Sequence, residues 1–145
     1  MLSNIKITEN ELKYMSLLQE MTGATIVDCI VREDEDQILF TVKQGEVGLA
    51  VGRGGEKIKR FRRMTNKHVE IFEYYDDPKK FIRNALKPAK VKDVQLVDKT
   101  NGRRVAMVNV DDKDKGIAIG KNGSNIKKIR FMANRYYDLA TVIIN

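Results

Sequence analysis

Gly52-Arg53-Gly54-Gly55 and Gly120-Lys121-Asn122-Gly123 are the stretches of this sequence whose residue types suit a chemical task, and the task is holding an anion. The outer glycines lack a side chain that would keep a ligand backbone at a distance, and they permit positive φ where one helix stops and the next begins. A helix starting there directs unsatisfied N–H groups and the positive end of its dipole at the same spot, which stabilises a phosphate. Arg53 and Lys121 add a mobile cation to each turn. A single Gly-x-x-Gly is better explained as a helix cap, so the weight rests on its occurring twice in one setting.

That setting is a repeat. Gly48 to Met64 aligns without gaps on Gly116 to Met132, with Gly52 falling on Gly120. Identities occur at Gly48, Ala50, Gly52, Gly55, Ile58, Lys59, Arg62 and Met64, and most other pairs exchange one aliphatic or one basic residue for another. Upstream, Ile38, Phe40 and Val42 alternate with Leu39, Thr41 and Lys43 as in a half-buried strand, and Ala106, Val108 and Val110 stand opposite them. A further β-like run precedes each, Ala24 to Val31 and Val91 to Val97, the second followed by the turn signal Asn101-Gly102. Each copy opens with a helix. In the first, Thr8 and Glu11 have capping-box spacing, Leu12, Met15, Leu17, Leu18 and Met21 form an apolar stripe, and Gly23 is the stop. In the second, Asp77-Pro78 starts the helix, Phe81, Ile82, Ala85 and Leu86 face inward, and Pro88 ends it. After the glycines come another helix and a last strand, Val69 to Phe72 or Thr141 to Ile144. The unit helix, strand, strand, helix, Gly-x-x-Gly, helix, strand therefore occurs twice, as domains 1–75 and 76–145 of an α+β chain. The short link around Tyr74 to Asp77 predicts a fixed relative orientation.

Charge placement favours a polyanionic ligand. The chain carries 27 Lys/Arg and 20 Asp/Glu, a net +7, with pI near 9.5. Acid in the first copy is concentrated in Glu33 to Asp36, while Arg53, Lys57, Lys59, Arg60, Arg62, Arg63 and Lys67 crowd the glycine turn and its helix. Lys121, Lys127, Lys128, Arg130 and Arg135 fill corresponding ground in the second. Helical spacing turns Ile58, Phe61 and Met64 or Thr65 inward, with Ile126, Ile129, Ala133 and Tyr136, and leaves the cations outward. Val51, Ile58, Ile119 and Ile126 border the turns and suit either the core or an apolar floor for bases. Phe131, Tyr136, Tyr137, Tyr74 and Tyr75 are mostly accounted for by packing.

Each unit resembles the KH domain in its type II arrangement, whose GxxG loop clamps about four nucleotides of backbone. Two in tandem, with Val-Gly-Arg-Gly-Gly in one and Ile-Gly-Lys-Asn-Gly in the other, are similar to the KH pair of the NusA-like family, in its short archaeal form. The resemblance covers nearly the whole chain. It implies a three-stranded mixed sheet packed on helices in each domain, a rigid interface between them, and single-stranded RNA as ligand, a nascent transcript in termination or antitermination. RNA polymerase or its elongation complex is then a partner. The implied contacts are Gly52, Arg53, Gly54, Gly55, Gly120, Lys121, Asn122 and Gly123, to which the charge pattern adds Lys57, Lys59 and Lys127. The bacterial factor's polymerase-binding N-terminal region and S1 barrel have no counterpart in these residues.

Rival chemistries fit poorly. Gly116 to Lys121 has three residues between glycines where a P-loop has four, and Asn122 stands where Ser or Thr would reach magnesium. Asp111, Asp112 and Asp114 lack the alternation of a calcium loop and read as the acidic start of a helix. Cys29 and His68 are each single, so a zinc site or Cys/His nucleophile has no partners, and Cys29 reads as a buried strand residue. No enzyme activity, cofactor or metal is expected. The absence of an apolar run of roughly 20 residues predicts a cytoplasmic protein. Ribosome assembly, RNA turnover, single-stranded DNA binding and a protein-interaction scaffold with structural glycine turns stay open.

Overall fold

A computed structural model of the chain describes residues 5–145. It divides into two compact units, with Lys6–Tyr75 in one and Asp76–Asn145 in the other.

In the first unit α1 (Glu9–Thr22) begins at Thr8, whose hydroxyl accepts from the Glu11 N–H while the Glu11 carboxylate accepts from the Thr8 N–H, a full capping box. It ends on Gly23 at φ 75°, a left-handed cap. Strands β1 (Ile26–Arg32) and β2 (Gln37–Val42) pair antiparallel, and β3 (His68–Glu73) joins β2 in parallel, giving the order β1-β2-β3. A bulge between Ile26 and Asp28 breaks the two-residue period of β1, which is why Ile26 and Cys29 both enter the core. That core joins Met15 and Leu18 of α1, Ile38, Phe40 and Val42 of β2, Ala50 of α2 (Val47–Val51), Ile58 and Phe61 of α3 (Glu56–Thr65), and Val69 of β3. Phe40 and Phe61 meet edge to face, ring centres 5.3 Å apart.

The second unit repeats this plan. Asp77 caps α4 (Pro78–Ala85) by accepting from the Lys79 N–H at 2.9 Å. Strands β4 (Val91–Asp98), β5 (Arg104–Val110) and β6 (Thr141–Ile144) take the order β4-β5-β6 with the same antiparallel and parallel pairings, and a bulge recurs between Val91 and Asp93. α5 (Lys115–Ile119) and α6 (Ser124–Tyr137) correspond to α2 and α3. Phe81 packs edge to face on Tyr136, centres 5.6 Å apart, tying α4 to α6. None of the helices among the described residues is long and apolar enough to cross a membrane.

Several expectations need correction. Leu39 and Thr41 are buried along with Ile38, Phe40 and Val42, so β2 is enclosed rather than half-buried; the unbroken apolar run Ile38-Leu39-Phe40 was the relevant signal. Leu12 and Met64 lie outside their helices' apolar faces and are 55% and 54% exposed. Phe131 is also largely in solvent, and Lys128 is buried although read as an outward cation. Asp111, Asp112 and Asp114 do form the acidic start of a helix, a 3₁₀ turn over Asp112–Asp114 that leads into α5, and two of them also pair with lysines, Asp111 with Lys92 at 3.6 Å and Asp112 with Lys115 at 3.1 Å. The Lys115 ammonium holds the Asp112 carboxyl below its ordinary pKa.

Candidate nucleic-acid interface

The glycine turns sit where a short helix meets a longer one. At the end of α2 the Gly52 N–H donates to the Gly48 carbonyl at 2.9 Å, and Gly52 adopts φ 80°, ψ 167°, a region in effect reserved to glycine. One 3₁₀ turn follows, Arg53–Gly55, closed by the Gly55 N–H on the Gly52 carbonyl at 3.0 Å, with Gly54 at φ 61°, ψ 18°. The second copy matches it angle for angle, with Gly120 at φ 78°, ψ 169° and Asn122 at φ 56°, ψ 25°. Asn122 shows why the third position need not be glycine, since asparagine is among the side chains that tolerate left-handed backbone.

The first glycine of each turn also answers an inward demand. A Cβ on Gly52 would stand 2.8 Å from Lys57 Cγ and 3.0 Å from the Lys57 nitrogen; on Gly120 it would stand 2.8 Å from the Asn125 nitrogen. The chain folds that closely onto the next helix. Around Gly54 the space is open. Unpaired donors were expected on the following helix, but the Glu56 N–H is taken by the Arg53 carbonyl and the Ser124 N–H by that of Lys121. The N–H groups of Arg53 and Gly54, and those of Lys121 and Asn122, are the ones with no acceptor among the described residues. Each turn thus offers two adjacent backbone donors, the arrangement that holds an anionic oxygen.

The surrounding cations sort into two kinds. Arg53, Lys59, Lys121 and Lys127 are exposed, and the stems of Lys59 and Lys127 pass the last glycine of their turns, Cε lying 3.7 and 3.9 Å from where a Cβ of Gly55 or Gly123 would be. These four join the donors. Lys57 is half-buried and reaches the Thr22 carbonyl at the end of α1 (3.4 Å), while its counterpart Asn125 donates to the Ala118 carbonyl at 2.8 Å. Both act as braces. Arg62 and Arg130, equivalent in the repeat, donate to the Val69 and Val142 carbonyls of the third strands at 2.8 and 2.9 Å. Lys67 lies with Asp36 at 2.7 Å, a pair that lowers the Asp36 pKa and raises that of Lys67.

The apolar border is likewise divided. Ile58 and Ile126 belong to the core, Val51 is half-buried, and Ile119 is 39% exposed. Leu49 and Ile117, which the sequence reading passed over, occupy equivalent places three residues before the first glycine and are about half exposed. A second omission is a carboxylate clamp. Glu46, just before α2, accepts from the N–H of Thr25, and Asp114, just before α5, accepts from the N–H of Lys90 at 2.9 Å. Each clamp fixes the short helix leading to its turn against the residue just before the domain's first strand. The repeat alignment pairs Glu46 with Asp114, and that coincidence of acids was the available signal. Asp114→Ala is expected to cost about 1 kcal/mol in urea unfolding, less than a buried charged hydrogen bond because the clamp is open to solvent.

With this geometry in view, residues 13–76 match the family described as KH domain and residues 78–143 that described as NusA-like second KH domain. The chain is 34% identical to "Probable transcription termination protein NusA" of Halococcus morrhuae, over 93% of this chain and 94% of that one. The chain belongs to the NusA family. A second NusA of the same description, from Methanococcus vannielii, is 34% identical over 90% of this chain and 74% of its own. The fold has a solved counterpart, described as the crystal structure of APE1850, with a TM-score of 0.86 and 35% identity, covering 96% of this chain and 100% of that one. The two units are accordingly KH domains, each a three-stranded mixed sheet packed on helices.

Proposed function

We propose that this NusA-family chain binds single-stranded RNA at both glycine turns and acts in transcription termination and antitermination, with the nascent transcript as ligand and the elongating polymerase as partner. One observation carries the reading: two unpaired backbone donors coincide with two exposed cations, and the coincidence recurs in the second domain with the same backbone angles. The donors meet phosphate oxygens, Arg53, Lys59, Lys121 and Lys127 neutralise them, and Gly52, Gly55, Gly120 and Gly123 shape the turn. Lys57 contributes by bracing rather than by contact. Leu49, Val51, Ile117 and Ile119 offer bases an apolar edge. The relatives' names supply the transcriptional setting.

Phosphate-dominated binding has a measurable signature. With four cations engaged, the logarithm of the RNA association constant should fall against the logarithm of salt with a slope of roughly −3. A slope near zero would remove the phosphate contacts from the account. Crosslinking in cells, with sequencing of the bound RNA, tests the setting: nascent transcripts together with co-purifying polymerase are expected, and recovery of ribosomal precursors would move the role to ribosome assembly.

A further inference from the structure

Among the described residues Phe131 is the aromatic side chain left most in solvent, 52% exposed on α6, while Tyr136 and Tyr137 of the same helix pack on Phe81. A scattered exposed hydrophobic needs no explanation by itself. Its placement does. Lys127 runs beside Gly123, and Phe131, four residues further on, lies on the same face of α6. Eight residues of helix put it about 12 Å from the end of the turn.

The first domain repeats the layout with different chemistry. Lys59 runs beside Gly55, and four residues on, at the position equivalent to Phe131, stands Arg63, exposed and with no hydrogen bond or ion pair among the described residues. Bases stack on aromatic rings and on guanidinium planes alike. Both domains therefore present a flat, unoccupied group one helical turn beyond a turn-lining lysine. The helices carrying them are basic, with Lys59 and Arg60 on α3 and Lys127 and Arg130 on α6 exposed nearby. That charge suits a continuing nucleic-acid strand better than a protein surface of mixed sign.

We infer that Arg63 and Phe131 are base-stacking stations for nucleotides outside the stretch clamped by each glycine turn, so that every module grips a longer single strand by running it along α3 or α6. The inference rests on the RNA-binding reading and extends its site. Its consequence is length dependence: the stations matter only to an RNA long enough to reach them.

The test compares fluorescence anisotropy of the full chain with an oligoadenylate of about five nucleotides, little more than one turn clamps, and one of about fifteen, near the upper site size for single-strand binders. Arg63→Ala with Phe131→Ala should weaken the longer RNA about tenfold or more, as expected for lost stacking, and leave the shorter one unchanged. Arg63→Ala with Phe131→Tyr should recover the part due to Phe131. Equal losses at both lengths, or no loss with the longer RNA, overturns the inference while leaving RNA binding at the turns in place. If the unmodified chain binds neither RNA, the parent reading falls and this one with it. Both substituted side chains are exposed, so the variants should unfold at the wild-type midpoint, which circular dichroism checks directly.

Discussion

Gly120→Ala is expected to destabilise the chain by about 3 kcal/mol, combining the strain of a backbone region closed to side chains with the overpacking of an added carbon. The second contribution is unusually hard to relieve, because the atoms met at 2.8 Å are Asn125 Cβ and the Asn125 backbone nitrogen, both fixed by the first turn of α6. Gly52→Ala should cost somewhat less, since its closest clash is with the flexible Lys57 side chain. By contrast Gly54→Asn, which imports the residue the second domain carries at φ 56°, should be close to neutral. Urea unfolding of the three variants gives the comparison. Equal costs at Gly120 and Gly54 would mean that the turn closes in some other way.

The second large effect is on RNA affinity. Substituting Arg53→Asp, Gly54→Asp, Lys121→Asp and Asn122→Asp together removes two cations from the open side of the turns and sets four carboxylates beside the unpaired donors. Losing one charge-assisted contact in each turn, at about 1.5–3 kcal/mol apiece, gives at least about a hundredfold weakening, and repulsion of the phosphates adds to it. The fold should survive, because aspartate also tolerates the left-handed backbone at positions 54 and 122. Anisotropy with a single-stranded RNA measures the loss and circular dichroism the fold. Full retention of affinity would assign the glycine turns to structure alone and favour a protein-interaction scaffold.

Much of this was legible in the residues because the repeat checks itself. Two copies of one pattern fixed the order of elements, the Thr8 and Asp77 caps and the Gly23 stop, each set by local chemistry that distant packing does not override. Side-chain partners were not legible, because they depend on neighbours no local pattern describes. Lys57, Arg62 and Lys67 look alike in a basic run, yet they reach the Thr22 carbonyl, the Val69 carbonyl and Asp36 because of where α1, β3 and the loop after β1 lie. Phe131 reads as one more apolar residue near Met132, but Met132 is buried and Phe131 is not, the difference being one residue's rotation about α6. The bulges near Asp28 and Asp93 were invisible for a related reason: an extra residue changes which side chains share a face without altering composition.

The central claim is that backbone N–H groups in the middle of both turns receive the RNA. A titration of the isotopically labelled chain with single-stranded RNA, followed by amide nitrogen and proton shifts, reads those groups individually. The amides of Arg53, Gly54, Lys121 and Asn122 should move most and first, ahead of any on the exposed outer face of α1. If RNA binds while these four signals stay where they were, the ligand is held elsewhere and the account is wrong.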